Sequence, residues 1–233
     1  MKIAIFIIHT ILFISCTGES KSKIQIHGAL SDIMHKGARK GVVQLSSVIN
    51  DNNVYGLGAM ENLDGEIIIV DSKIFIHQAK PNESPIILTE PGNEKALLLV
   101  STKVKEWQTI SMNKKIDDAN IDTVIKVEAK KAGVNIEEPF PFIIKGVFSK
   151  LDWHIISPQS SGGSHDDHLA KSWKRKDTNM KGEILGFYSE KHRAVFTHHN
   201  RFTHMHVLYK SESLSGHVDG LRFEKGWQIS FPK

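Results

Sequence analysis

The stretch FTHMHVLYKSESLSGHVDGLRF, residues 202–223, gives the strongest indication of how this chain folds. Residues 202–209 read as a β-strand, in which side chains alternate between two faces, so His204 and His206 share one face. The serines and the glycine between Lys210 and Gly216 form a turn, and His217 opens an apolar run typical of a returning hairpin strand. The sequence therefore predicts a hairpin that brings three imidazoles together.

Three imidazoles in one place are the usual ligand set of a catalytic zinc site, which leaves a fourth position open. Structural zinc sites have four protein ligands, commonly including cysteine, and no cysteine is available near this hairpin. The chain has thirteen histidines, so a lone H-x-H pattern is weak, and exposed polar strand faces are the alternative interpretation. The third histidine at hairpin distance favours a metal site. Iron, manganese and nickel stay open beside zinc, because imidazole binds several divalent ions.

The rest of the chain alternates short helical and β-like runs without internal repeats, which is typical of a compact α+β fold. Residues 29–34 and 42–48 are predicted as short helices, each adjoining a glycine. A longer helix is predicted to begin at a cap, Asp117 or Asp118, and to end near Gly133. Strands are predicted from β-branched and apolar runs at 66–70, 72–76, 85–89, 96–100, 142–148, 153–156 and 183–188.

Residues 158–177 form a long polar stretch, which we predict to be a surface loop. A serine- and glycine-rich run in it precedes His165, Asp166, Asp167 and His168. We interpret this run as a solvated loop in preference to a second metal site.

Residues 1–16 read as an export signal, with basic Lys2 followed by an apolar run that is too short to span a bilayer comfortably. Phe13-Ile14-Ser15-Cys16 resembles the lipobox of bacterial lipoprotein signals, and Cys16 is the only cysteine. This predicts acylation of Cys16, a polar tether over residues 17–23, and a membrane-anchored lipoprotein in the periplasm or at the cell surface. An ordinary cleaved signal peptide is the alternative, and either one takes the protein out of the cytoplasm.

Composition and charge exclude some classes of protein. With 40% apolar residues in 233, the chain can bury a substantial core as one domain or as two tightly joined halves. The net charge of +4 is modest, and the basic residues are scattered except at 171–176. We therefore predict no nucleic-acid-binding arm.

Several motifs, in the same order along residues 24–233, resemble the acetolactate decarboxylase family. The pattern of His204, His206 and His217, with Gly216 before the last, is similar to the zinc motif of that family. The other matching segments are YGLG (55–58), LDGEIIIVD (63–71), PFPFIIKGVF (139–148) and GEILGF (182–187). Motifs that match in order are more specific than any one of them.

The resemblance implies two linked α/β halves with mixed sheets, about 24–138 and 139–233, and a zinc ion in the cleft between them. It implies decarboxylation of (2S)-2-acetolactate or a related 2-hydroxy-3-oxo acid to acetoin and carbon dioxide, with His204, His206 and His217 as zinc ligands. Glu66 matches the family's active-site glutamate, which lies beside the metal and assists proton transfer.

Two family residues are not matched. His154 stands where the family has an arginine that meets the substrate carboxylate, so we interpret His154 as a substrate contact without arginine's permanent charge and two-pronged geometry. The family's C-terminal glutamate has no counterpart. Arg193, Arg201 and Arg222 can take the place of the family's arginine only if the fold brings them close to the histidines.

Three other functions stay open. The same metal site can activate water to hydrolyse small esters or lactones, an alternative that the missing arginine favours. A non-catalytic lipoprotein that binds a metal or a small acid is the second. The third is a DNA-associated domain with a comparable histidine pattern, which export and the scattered basic residues disfavour. The sequence leaves a homodimer open.

Overall fold

Two antiparallel sheets dominate the computed structural model, which describes residues 23–80, 82–88, 93–158 and 170–233. The first sheet has the strand order β1-β7-β3-β4-β5-β6, and β2 pairs with β7. Its strands are β1 (Gln25–His27), β2 (Val43–Gln44), β3 (Val54–Met60), β4 (Glu66–Val70), β5 (Lys73–Gln78), β6 (Ile86–Leu88) and β7 (Lys95–Lys103).

The second sheet has the strand order β12-β11-β15-β14-β13-β10-β16-β8, and β9 pairs with β15. Its strands are β8 (Trp107–Met112), β9 (Ile116–Asp117), β10 (Phe140–Phe148), β11 (Lys150–Ile155), β12 (Trp173–Asp177), β13 (Met180–Tyr188), β14 (Thr203–Tyr209), β15 (Leu214–Phe223) and β16 (Trp227–Pro232). The α+β class and the two sheets are confirmed. The second sheet already begins with β8 and β9, so the change from one sheet to the other lies between Lys103 and Trp107 and not near residue 138. The ladders between the described strands are antiparallel and not mixed.

The helices are α1 (Leu30–His35), α2 (Leu45–Val48) and α3 (Ile121–Lys131). Ile121, Ile125 and Ala129 are fully buried on one face of α3, where they join the core of the second sheet. Gly133 follows the helix with a positive φ of 81°, as its predicted end requires. None of the helices within the described ranges is long and apolar enough to cross a membrane.

The predicted cap of α3 is wrong. Asn120 is the N-cap residue and makes no side-chain cap bond, because its Oδ1 accepts the backbone N–H of Asp117 instead. The two aspartates have other partners. Asp117 accepts the N–H of Ala119, and Asp118 accepts the N–H of Leu221.

Two other predictions need correction. Only Leu45–Val48 of the predicted second helix is helical, because Val43 and Gln44 pair with β7 at the sheet edge. Residues 173–177 of the predicted loop form β12, whose inward side chains include Arg175 and Asp177, so the strand lacks an apolar alternation. Residues 159–169, with His165 and His168, lie outside the described residues, as do Thr89, Cys16 and the rest of 1–22.

The two sheets share an apolar core. Leu57, Ile68 and Val100 of the first sheet lie in one cluster with Ile143, Leu185 and Leu208 of the second, and all six are buried. Strand β15 packs across β4 and β5, which brings the predicted histidine hairpin against the first sheet.

His77 links the two sheets by hydrogen bonds beside this contact. It is fully buried on β5, its Nε2 donates to the carbonyl of Ser213 at 2.6 Å, and its Nδ1 accepts the hydroxyl of Ser215 at 2.6 Å. A carbonyl can only accept, so the proton of the neutral ring is on Nε2. Burial lowers the pKa of His77 below its usual value.

We expect His77→Gln to reduce the free energy of unfolding by about 1–3 kcal/mol, because one buried hydrogen-bond partner is lost. The pKa of His77 is lower in the folded state than in the unfolded state. The neutral ring therefore contributes stability above about pH 6.5, and this contribution is lost as the pH falls through the pKa of the folded state. Between pH 7 and pH 5 the variant should therefore lose less stability than the parent. Urea unfolding of metal-free protein measures both effects.

Exposed His199 supplies the control for this comparison. His199→Gln should match the parent at both pH values. A His77→Gln variant with the parent's pH dependence would contradict the assigned role of His77.

Candidate active site

A row of paired residues across three strands builds the site. His206 on β14 is directly opposite His217 on β15, and His217 is directly opposite His154 on β11. Residues paired in this way in an antiparallel sheet point to the same face, so the three imidazoles line up side by side. His204 shares that face by the alternation along β14, as the sequence predicts.

His204, His206 and His217 converge closely enough to hold one metal ion. One ring nitrogen of each lies within 4.8 Å of the others, and Nε2 of His204 is 3.1 Å from Nδ1 of His217. A side chain at Gly216 would place its Cβ 2.5 Å from the carbonyl oxygen of His154, so this glycine allows β11 and β15 to lie together. The convergence predicted from the sequence is therefore found.

Burial keeps these imidazoles neutral. The three rings are at most 8% exposed. Burial, together with the charge of neighbouring histidines, lowers the pKa of His204 and of His217 well below the usual value, and it lowers the pKa of His206 to about 3. Neutral imidazole is the form that binds metals.

Unpaired ring nitrogens show that a cation fits here. Among the described residues, both nitrogens of His206 and Nδ1 of His204 are buried without a hydrogen-bond partner. The carbonyl of Ile67 faces His206 without reaching hydrogen-bond geometry. Buried polar atoms without partners are costly, and a metal ion bound through one nitrogen of each ring removes part of that cost.

Glu66 faces the histidines from the first sheet. Its Oε2 lies 3.5 Å from Nε2 of His206, without hydrogen-bond geometry, and its Oε1 accepts the backbone N–H of Ile156 at 3.2 Å. The side chain is 4% exposed, and burial raises the pKa of Glu66 to about 7. A carboxyl group with this pKa can both hold and release a proton near neutral pH.

His154 lies between Glu66 and a carboxylate that the sequence interpretation missed. Its Nε2 is 3.9 Å from Oε1 of Glu66, and its Nδ1 lies 2.8 and 2.9 Å from the two carboxylate oxygens of Asp219. The sequence shows Asp219 two residues after His217, but it does not show its contact with His154.

His198 is a second residue that the sequence interpretation missed. Its Nε2 is 3.3 Å from Nε2 of His217, whereas His204 approaches Nδ1 of the same ring. Nothing in the sequence distinguished the adjacent pair His198-His199 from the other histidines of the chain. The structure brings it to the site through the segment that precedes β14.

The arginines considered from the sequence lie in different places. Arg201 lines a cavity beside the histidines, with Nη2 at 3.4 Å from Oδ1 of Asp118. Arg193 packs its guanidinium over the ring of Phe202, 4.2 Å from the ring centre. Arg222 is exposed on β15, where it pairs with Lys150 and Asp117.

Two adjoining cavities give access to the site. An inner cavity of about 60 Å³ has Glu66, His154, His204 and His217 on its polar side, and its apolar side includes Leu30, Ile33, Met34, Leu63 and Leu98. An outer cavity of about 950 Å³ extends over Lys174, Arg175, Arg201 and Asp219. His198 and His217 line both cavities, so they mark where the two meet.

Comparisons with known proteins agree in one family. A family model described as Alpha-acetolactate decarboxylase matches residues 26–231. Alpha-acetolactate decarboxylase of Lactococcus lactis subsp. cremoris is 22% identical over 78% of this chain and 72% of its own length. The enzyme of the same name from Streptococcus thermophilus is 21% identical over 73% of this chain and 69% of its own length.

Solved structures show the same fold. The crystal structure of alpha-acetolactate decarboxylase from Bacillus subtilis has a TM-score of 0.70 at 17% identity, covering 91% of this chain and 86% of its own. A Staphylococcus aureus protein, described as of unknown function and similar to alpha-acetolactate decarboxylase, has a TM-score of 0.68 at 19% identity, covering 90% of this chain and 84% of its own.

We expect the full chain, purified in mild detergent and loaded with Zn²⁺, to retain about one ion per chain after gel filtration. His204→Ala should retain almost none, because two imidazoles alone bind zinc far more weakly. Metal content by mass spectrometry measures this. His199→Ala is the matched control, and its metal content should equal that of the parent; equal loss in both variants would refute a site at His204.

Proposed function

This chain belongs to the alpha-acetolactate decarboxylase family, and from that premise we propose that it is a zinc-dependent lyase that decarboxylates (2S)-2-acetolactate, or a related 2-hydroxy-3-oxo acid, to acetoin and carbon dioxide. One observation carries the proposal: Glu66 shares one small cavity with His204 and His217, and its Oε2 lies 3.5 Å from Nε2 of His206. The inner cavity limits the substrate to a small molecule.

The proposed zinc ligands are His204, His206 and His217. When bound, zinc supplies positive charge beside the substrate oxygens, where negative charge accumulates as carbon dioxide leaves. The histidines have no proton to lose before they bind it, because burial holds them neutral. The apolar wall from α1 and β7 keeps the dielectric low, so charge on the polar side has a strong effect.

Glu66 is the proposed proton donor to the carbon that loses carbon dioxide. With its pKa raised to about 7, a large share of its carboxyl groups carry a proton at neutral pH. The proton belongs on Oε2, because Oε1 accepts the N–H of Ile156 and is thereby fixed as an acceptor. This bond also holds the carboxyl group toward the histidines.

His154 is the proposed substrate contact in place of the family's arginine. Its buried Nε2 faces the inner cavity beside Glu66 and can make one hydrogen bond to a polar group of the substrate. Arginine would give two parallel bonds and a permanent charge. Because the Nδ1 proton points to Asp219, the neutral ring can only accept a hydrogen bond at Nε2, so its proposed partner is the substrate hydroxyl group. The substrate carboxylate therefore lacks the contact that arginine would provide.

This difference at His154 favours one second candidate, hydrolysis of small neutral esters or lactones. Such substrates have no carboxylate to bind, and a three-histidine zinc site can activate water. Ester cleavage without release of carbon dioxide from acetolactate would support it. Bound zinc with neither reaction would support a non-catalytic binding protein.

We expect the zinc-loaded protein to release carbon dioxide and acetoin from racemic acetolactate, and Glu66→Gln to lower kcat by about 10²–10⁴-fold because the amide cannot donate a carboxyl proton. The variant should keep its zinc, since the histidines are unchanged. A colorimetric acetoin assay and zinc analysis on the same sample measure both. Exposed Glu106 supplies the control, since Glu106→Gln should retain full activity. Undiminished turnover in Glu66→Gln would remove the proposed role.

We also propose that the protein is exported and anchored through an acylated Cys16. The support is the sequence of residues 1–16 alone. Expressed in bacteria fed radiolabelled palmitate, the parent should carry label and sediment with membranes, and Cys16→Ser should do neither. An unlabelled, soluble parent found outside the cytoplasm would instead indicate an ordinary cleaved signal peptide.

A further inference from the structure

We propose that Asp219 is a positioning residue that acts through His154: it fixes the imidazole with Nδ1–H on the carboxylate and Nε2 directed at Glu66 and the inner cavity. The inference rests on the proposed function for its kinetic consequence. It assigns a role to a residue outside the three histidines, Glu66 and the family's arginine position.

The first support is the geometry of the pair. Both oxygens of Asp219 lie within 2.9 Å of Nδ1 of His154. A carboxylate only accepts hydrogen bonds, so the ring must carry a proton on Nδ1. The other ring nitrogen then faces Oε1 of Glu66 at 3.9 Å. The tautomer and the direction of the ring are thus set by one contact.

The second support is the backbone at Asp219. In the ladder between β11 and β15, Asp152 pairs with Gly220 and Trp153 pairs with Val218, which leaves Asp219 as the extra residue of a β-bulge. Bulges re-aim side chains and are common beside active sites. Here the bulge lets Asp219 reach the ring of His154, although His217, two residues earlier, is the direct partner of His154.

The third support is that Asp118 makes a hydrogen bond to the backbone next to the bulge. Its Oδ1 accepts the N–H of Leu221 at 3.0 Å. A Cβ at Gly220 would lie 2.9 Å from Oδ2 of Asp118, so glycine lets this carboxylate lie close to the strand. A side-chain hydrogen bond therefore holds the backbone next to the bulge.

The fourth support is the position of Asp219 relative to the cavities. Asp219 lines the outer cavity and His154 lines the inner one, so the imidazole separates the carboxylate from Glu66. Asp219 is one-third exposed, which leaves its charge partly hydrated. Asp219 does not line the inner cavity itself and acts there only by orienting the ring of His154, so we assign it a positioning role.

The proposal is tested by a double-mutant cycle on the zinc-loaded full chain. Asp219→Asn should lower kcat/KM for acetolactate by about 10–100-fold, as loss of an orienting partner commonly does, with zinc content unchanged. In a His154→Asn background the same change should have almost no further effect, because the residue through which it acts is gone. Equal losses in both backgrounds would overturn the proposal.

Asp152→Asn is the matched control. Asp152 borders the same outer cavity and carries the same charge, but its ion-pair partner is Lys150 at 2.6 Å. Its kcat/KM should equal that of the parent. A loss comparable with that of Asp219→Asn would show that any negative charge at this cavity matters, and would overturn the specific role.

Nitrogen-15 NMR of the histidine rings tests the geometry without turnover. The spectrum of the parent should assign the proton of His154 to Nδ1, and Asp219→Asn should show a mixture of tautomers, because the amide can donate as well as accept. A parent ring protonated on Nε2 alone would overturn the proposal. The Nδ1 tautomer in a protein that releases no carbon dioxide would uphold the positioning role and place the failure in the proposed reaction.

Discussion

The register between β14, β15 and β11 is the constraint on which the site depends. His206, His217 and His154 lie on one face only because each is paired directly with the next. A slip of one residue in either ladder would turn a histidine to the opposite face, since side chains alternate with period two. Gly216 helps to fix the register, because no larger residue fits against the carbonyl of His154. The cross-sheet bonds of His77 to Ser213 and Ser215 hold the start of β15 in the same alignment.

Burial of this row determines the chemistry available. The sheets close over the histidines and Glu66, and the loss of water lowers the pKa of the imidazoles and raises that of the carboxyl group. Both shifts favour the neutral form. The result is a set of free lone pairs opposite a carboxyl group that can hold a proton. The unpaired nitrogens of His204 and His206 destabilise the metal-free fold, since a buried polar group without a partner costs about 1–3 kcal/mol.

Local patterns in the sequence predicted the histidine cluster, and distant contacts explain what they missed. Alternation along one strand and a single hairpin suffice to bring His204, His206 and His217 together. Glu66 lies on the other sheet, so only the family resemblance identified it. Asp219 reaches His154 through a bulge, which a regular hairpin does not predict. Strand β12 was predicted as loop because Arg175 and Asp177 take its inward positions, where Trp153 and Tyr209 bond to the aspartate.

The site therefore has two parts of different structural origin. The part proposed to bind metal comes from one hairpin and depends on local pairing. The part proposed to bind substrate is assembled from Glu66 on β4, His154 on β11 and the apolar side chains of α1, which meet only when the sheets pack together. A change in the second part leaves the hairpin intact, which is consistent with the interpretation that His154 takes the place of the family's arginine. A single arginine brings its own charge and a rigid fork, whereas an imidazole needs a partner to fix its orientation. In this chain the bulge at Asp219 supplies that partner.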